Sequence, residues 1–315
     1  MRLSPSESFS RKIFVFCMIV FVLSTLVGFM QYFDVGGIND TLSPYYAPTQ
    51  MRELIVHGRI VGTTSNPNKF GALMVLAASM ALSGSLAFSR FWDRLACLVL
   101  LSVFITALVL TASRTALVAL VATTSTVVIL FVFGRGFRRK IARIFLVAVV
   151  VLCVSILGFQ FVPEKILGRF AQLENISEAS SFRARVEKYW KPNFELWLNS
   201  PLFGWGPAKA TMHTFVDNEW LLFLRRYGIL GSLILAGFFI QAFVQLSRTR
   251  EEGVTCVGRA LSLSMQGSLV GWAIFMMAAE LYHDMQLMSV FVILLGLSFS
   301  VNGFNRFVKT KRPNA

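Results

Sequence analysis

The sequence predicts an all-α protein, a polytopic transmembrane helical bundle of about eight spans with one long extracytoplasmic loop carrying short helices. Three observations predict it. The chain is 55% hydrophobic and only 15% charged over 315 residues, with a mean hydropathy of +0.64, far too apolar for a water-soluble domain. Its apolar residues fall in runs such as LACLVLLSVFITALVL, long enough for helices and without the alternation of a membrane β-barrel strand. Lys and Arg, finally, cluster in every second loop, as the positive-inside rule requires of a multi-pass chain.

Each span is justified by a run of about 20 apolar residues, which crosses about 30 Å of hydrocarbon at about 1.5 Å per residue. The first, 13–31, resembles a signal peptide but is long and lacks a small-residue cleavage pattern after it, so it is read as a retained span. The second, 70–88, follows the Asn66-Pro67-Asn68 turn, where Asn68 is placed to cap the helix. Spans 95–113 and 115–134 leave only a two- or three-residue turn between them, and Arg114 lies in it. The fifth, 144–162, follows the basic run RGFRRKIAR; the sixth, 228–246, follows the Arg225-Arg226 pair; the last two are 260–280 and 285–303. The whole chain, 1–315, reads as one integral membrane domain, with outer segments at 32–69 and 163–227.

Both termini are expected in the cytoplasm, because that choice puts 17 of the 30 basic residues inside and 12 of the 16 acidic ones outside. The net charge of +14 is then mostly an anchor facing anionic membrane lipids, and no nucleic-acid partner is implied. Cys17, Cys97, Cys153 and Cys256 have no spacing that suggests a disulfide or zinc site. Glu280, His283 and Asp284 cluster at the outer end of a span, where a solvated turn is the preferred reading over a metal site; no metal and no cofactor are expected.

The polar residues of interest lie on the expected outer side. Residues 183–231 form an Arg-rich, turn-rich stretch in an otherwise hydrophobic protein, a natural place for Arg183, Arg185, Arg225 and Arg226 to meet an anionic substrate. Lys165, Arg169, Lys188, Lys191 and Lys209 are equally well read as solvated surface. Arg114 sits near the membrane interface, where an unpaired Arg costs roughly 2.5–3.5 kcal/mol, so it should face a wet cavity or an anion unless it snorkels. Arg59 with Asn66 and Asn68 can bind phosphate or sugar hydroxyls.

In the stretch from Pro201 to Gly231, Pro201, Gly204, Gly206 and Pro207 make a tight loop, and His213, Asp217, Asn218 and Glu219 lead into an apolar helix. If that helix has already begun, His213 and Asp217 share a face and Asp217 lies one to two turns from the double arginine, giving a general base among cations. Alternatively, Asp217 or Asn218 is only the N-cap. Trp190, Trp197, Trp205 and Trp220 can stack on sugar rings or anchor the interface.

The blocks GRIVGTTSNPNKFGALM, LTASRTALVAL, Trp190 followed by PLFGWGP, and DNEWLLFLRRYGILG resemble, in this order over roughly residues 55–240, the bacterial O-antigen ligase and O-antigen polymerase superfamily. The resemblance implies a metal-independent glycosyltransferase of the bacterial inner membrane. Its donor would be an undecaprenyl-diphosphate-linked glycan, its acceptor a glycan or lipid at the periplasmic face, and its further partners other polysaccharide assembly proteins. Carried over by position, Arg114 matches the arginine of the SR block, Arg183 or Arg185 the arginine before the aromatic, and Asp217 the residue opening the last block. Lipopolysaccharide ligases generally have His at the position of Asp217, which favours polymerisation over ligation. Relatives also tend to carry several further spans before the GTTSNPN block, where this chain has one.

Residues and resemblance together suggest Asp217, Arg114, Arg185 and His213 as catalytic groups and Arg59, Asn66, Asn68, Arg183, Asn218, Glu219, Arg225 and Arg226 as substrate-binding ones. A ligase that moves the glycan to lipid A core or protein is the second reading. The third is a non-enzymatic transporter of the same lipid-linked saccharide, for which internal symmetry and mid-membrane ionisable groups would be expected; neither is clear here.

Overall fold

The computed structural model describes residues 7–42, 58–64, 66–133, 183, 185–207, 216–252, 255–281 and 284–310. Among these, the elements in order are α1 (Glu7–Phe33), a 3-10 turn (Val35–Gly37), α2 (Ile38–Leu42), α3 (Pro67–Ala87), α4 (Phe91–Leu110), α5 (Arg114–Val132), a π-helical stretch (Arg185–Trp190), α6 (Lys191–Leu198), α7 (Glu219–Glu252), α8 (Cys256–Phe275) and α9 (Met285–Thr310). The described residues contain no strand. Seven of the eight expected spans coincide with helices, and the remaining one, 144–162, lies outside the described residues.

Among the described residues, five helices are long and apolar enough to cross a membrane, within Ser8–Phe33, Pro67–Ala87, Phe91–Leu110, Arg114–Val132 and Glu219–Arg250. Within α9, Met285–Ser300 is apolar as well. Although α8 has 20 residues, it carries Ser262, Ser264, Gln266 and Ser268, all fully buried, and so falls short on hydropathy. A helix screened by its neighbours rather than by lipid tolerates such groups; the Gln266 amide N–H and the Ser262 hydroxyl have partners on α7, whereas the Ser264 and Ser268 hydroxyls have none among the described residues. Gln266 Nε2 donates to Ser247 Oγ at 2.6 Å, and Ser79 Oγ donates to the Ser264 carbonyl at 2.8 Å.

The core is built around α3 and α8. Residues Phe70 to Leu86 of α3 are buried at every position, because α1, α4, α5, α8 and α9 all pack on it. In contrast, Leu233, Ile234, Phe238 and Ile240 of α7 and Val99 of α4 are exposed, the pattern of a lipid-facing surface. Between lipid-embedded helices the lipid tails solvate Leu as well as a neighbouring helix does, so association rests on close packing. The seam of α8 with α5 shows it: Gly267 and Gly271 meet Thr123 and Val127 of α5, and a Cβ built at Gly271 would overlap Thr123 Oγ1. Trp272 stacks on Phe291 of α9 with centroids 4.2 Å apart, and Trp220 of α7 donates its indole N–H to the Ala273 carbonyl at 2.9 Å.

Polar contacts sort the two ends of the bundle. At one end the Arg11 guanidinium pairs with Asp93 at 2.9 Å and Arg250 Nη1 donates to the Leu130 carbonyl at 3.3 Å. At the other, irregular backbone at 58–64 is tucked into the bundle and held by it. Ile60 N–H donates to the Leu110 carbonyl at 3.3 Å, and Gln31 Oε1 accepts from the Val61 and Gly62 N–H groups at 3.3 and 2.8 Å. Non-helical chain at such depth persists only when its backbone groups have protein partners. The helix cap there differs from expectation: Asn66, not Asn68, accepts the Lys69 N–H at 2.9 Å, because Asn66 is the last extended residue before Pro67 opens α3.

Gly271→Leu is expected to lower stability by about 1–3 kcal/mol, since a whole side chain must enter a seam that lacks room for a Cβ. The check is the melting temperature of the detergent-purified protein, with the exposed-face substitution Ile234→Leu, expected to be neutral, as control.

Candidate functional site

The site end is organised by a break in α7. Gly228 adopts φ 63°, ψ −166°, a region essentially confined to glycine, and divides the helix into 219–227 and a longer segment after it. An unbroken helix would bond the Ile229 and Leu230 N–H groups to the Arg225 and Arg226 carbonyls. The PLFGWGP loop substitutes for both partners. Trp205 and Gly206 N–H donate to the Arg225 and Arg226 carbonyls at 2.9 and 2.7 Å, while Ile229 and Leu230 N–H donate to the Pro201 and Leu202 carbonyls at 2.9 and 3.3 Å. Gly204, at φ 69°, lies against this break, and a Cβ there would meet the Arg226 carbonyl carbon at 2.5 Å. The glycines of two separate sequence blocks therefore serve one interlock.

Next to the interlock are the π-helical stretch and α6. Buried Arg225 donates through Nη1 to Asn193 Oδ1, and Asn193 Nδ2 donates to the Tyr189 carbonyl at 2.6 Å. The arginine of the broken helix thus brackets the segment that carries Arg185. Arg185 Nε donates to Asp217 Oδ2 at 2.5 Å, with 23% and 16% of the two side chains exposed, which leaves the pair largely desolvated yet open to a ligand. Asp217 has a left-handed backbone, at φ 51°, and its N–H and that of Val216 both donate to Glu280 Oε1, at 3.1 and 3.0 Å. Burial pushes the Asp217 carboxyl above the ordinary carboxylate range; Arg185 opposes the shift and Glu280 reinforces it.

The helix begins at Glu219, so Asp217 is not on its face, and the expected helical pairing with His213 does not apply; His213 itself lies outside the described residues. Asn218 is the cap, accepting the Leu221 N–H at 3.0 Å, which separates that structural role from Asp217. Asp217 pairs with Arg185 rather than with the double arginine expected beside it, since Arg225 turns to Asn193. Glu219 is buried with its N–H on the Met276 carbonyl at 2.8 Å, Arg226 is half-buried, and Arg183 is exposed.

A second polar group gathers at the head of α3. Buried Arg59 donates through Nε to the Thr111 carbonyl at 2.7 Å and through Nη2 to Asn68 Oδ1 at 3.2 Å, tying the GTTSNPN block to the turn before Arg114. Arg114 is half-buried as the first residue of α5, after the Ser113 cap. Lys69 reaches Asp284 at 2.7 Å, four residues beyond Glu280 in the chain. Among the described residues no three His, Cys, Asp or Glu side chains converge as a metal site would require.

Asn218, next in the chain to Asp217, lines an open groove of about 400 Å³ together with Trp190, Phe194, Glu195, Trp220 and Leu221. Its two walls continue the segments that carry Arg185 and Asp217. Sequence reasoning finds both members of the pair and the groove's two tryptophans, but it gives no role to Asn193 and leaves Glu280 in a solvated turn. A carboxylate at the end of a span is the available signal for Glu280; for Asn193 there is none.

Fold and site define a multi-pass helical membrane protein with a cationic and carboxylate centre at one end of its bundle. Residues 95–236 match the family model described as O-antigen ligase, so the similarity to the O-antigen ligase and polymerase superfamily holds. The match takes in Arg114, Arg185 and Asp217, while Arg59, Asn66, Asn68 and Glu280 lie beyond it. No curated protein matches the chain.

Gly228→Ala is expected to cost more than the roughly 1–3 kcal/mol of a strained backbone position, because its Cβ would also overlap the Leu202 carbonyl oxygen. Thermal unfolding of the purified variant checks this; a melting temperature equal to the parent's would show that the interlock is not rigid.

Proposed function

We propose that the chain is a glycosyltransferase of surface polysaccharide synthesis that extends a glycan from an undecaprenyl-diphosphate-linked donor at the periplasmic face of the bacterial inner membrane, both its termini being cytoplasmic. The observation that carries this reading is the Arg185–Asp217 pair, desolvated and open to a ligand, at the end of an apolar bundle. In the free protein the guanidinium holds the carboxylate. An arriving diphosphate carries more charge than Asp217 and takes the planar fork of Arg185 in its place, leaving a half-buried carboxylate beside Glu280 as a stronger base.

The acceptor sugar hydroxyl then attacks the anomeric carbon of the donor. Its proton passes to Asp217, the bond from that carbon to the diphosphate oxygen breaks, and undecaprenyl diphosphate leaves with its developing charge on Arg185 and Arg114. Each charge-assisted hydrogen bond to the leaving group contributes on the order of 1.5–3 kcal/mol, so two or three account for several decades of rate. A sugar ring stacks in the groove against Trp190 and Trp220, with Glu195 and Asn218 as hydrogen-bonding neighbours. Arg59 and Asn66 serve this chemistry through the scaffold they brace. A ligase is the second reading, favoured by the description of the matching family, whereas Asp at position 217 favours the polymerase.

Arg114→Ala, Arg185→Ala and Asp217→Ala are each expected to abolish product formation while leaving membrane insertion intact, and Arg185→Lys is expected to fail as well, since a point charge cannot reproduce the planar fork. Purified protein incubated with a lipid-linked repeat unit reads this directly: a ladder marks a polymerase, a single transfer product a ligase, and activity in all three alanine variants would sink the assignment. The raised pKa of Asp217 carries a second expectation. A base must be deprotonated, so activity should fall as pH drops through a value above the ordinary Asp pKa of about 3.9. A pH profile flat down to that value would remove Asp217 from the role.

A further inference from the structure

Glu280 lies outside the matched family region, 63 residues beyond Asp217, yet it meets the turn that carries Asp217 directly. One of its oxygens, Oε1, accepts from two successive backbone N–H groups, those of Val216 and Asp217, at 3.0 and 3.1 Å. Asp217 is a non-glycine residue at φ 51°, in the left-handed region that Asp visits more readily than most side chains, and surrounding structure helps to impose it here. The imposing structure is the turn after α8. From the same turn, the Met276 carbonyl accepts the Glu219 N–H at 2.8 Å, so residues 216, 217 and 219 are all anchored to residues 276–280. Farther along, Asp284 pairs with Lys69 at 2.7 Å, and its Oδ1 accepts the Leu287 N–H at 3.0 Å, which ties the chain after Glu280 to α3 and α9.

We propose that Glu280 is a positioning residue, whose carboxylate holds the Val216–Asp217 backbone in the left-handed turn that aims Asp217 at Arg185 and sets a negative charge beside Asp217 that remains when a diphosphate draws Arg185 away. The inference rests on the functional reading above and deepens it. Of the described charged groups, Arg185 from the π-helical stretch and Glu280 from the turn after α8 are those that act on Asp217, with opposite signs. Arg225 of α7 in turn lies within electrostatic reach of Glu280. Removing the Glu280 charge while keeping an acceptor oxygen therefore makes Asp217 easier to ionise without releasing the backbone.

The experiment compares Glu280→Ala, Glu280→Gln and Asp217→Asn, each purified and assayed with the lipid-linked repeat unit over a pH series, alongside melting temperatures. Glu280→Ala is expected to lose about tenfold or more in kcat with donor KM little changed, the loss of roughly 1.4 kcal/mol of transition-state stabilisation. Glu280→Gln, whose amide oxygen still accepts both N–H groups, should recover most of kcat while its acid limb moves to lower pH. A merely structural glutamate would change protein yield or melting temperature and leave that limb in place. Should Glu280→Ala prove unstable, the Gln variant decides by itself. An unshifted acid limb in Glu280→Gln, or parental kcat in Glu280→Ala, overturns the proposal. Activity retained by Asp217→Asn instead overturns the functional reading, and the role of Glu280 falls with it.

Discussion

The site depends on one constraint: a helix is broken at Gly228, and the hydrogen bonds lost there are remade by a loop from elsewhere in the chain. The Arg225 and Arg226 carbonyls and the Ile229 and Leu230 N–H groups all find partners in residues 201–206. Near a membrane an unpaired backbone group is strongly unfavourable, so the break persists only with this exchange complete. The exchange fixes where the short helix 219–227 sits, and with it Arg225, Asn193 and the stretch carrying Arg185. Two glycines that look like ordinary turn residues thus help bring a cation to a carboxylate.

Arginines at the site end do two kinds of work. Arg59 and Arg225 are buried and direct donors to protein acceptors, Thr111 and Asn68 for one, Asn193 for the other. Each stitches together segments apart in sequence. Arg185 differs because its partner is an ionisable side chain that remains partly exposed, so a stronger anion can displace it. An arginine that can exchange partners supports chemistry; one locked on a carbonyl supports geometry. Composition alone cannot separate the two.

The bundle below shows the same division between lipid-facing and protein-facing surface. Apolar residues of α7 look outward, whereas α8 places Ser262, Ser264, Gln266 and Ser268 in the interior, where packing rather than hydropathy decides what is tolerated. Small residues at Gly267 and Gly271 let α8 approach α5 closely, and that approach sets the position of the turn bearing Glu280. Packing deep in the helices is in this way continuous with the geometry of the site.

The sequence by itself determined the fold class, seven of the helices and the membership of Arg185 and Asp217 in a polar centre, because long apolar runs and misplaced charges are local signals. Even the expected start of the sixth span, residue 228, falls on the break in α7. Tertiary structure alone decided the pairings. Asn66 rather than Asn68 caps α3, Asn218 rather than Asp217 caps α7, and Asp217 meets Arg185 rather than Arg225. Glu280 gained its contact the same way, across 63 residues of chain. Such choices depend on which backbone groups are left without partners once the helices have packed, and no local pattern records that.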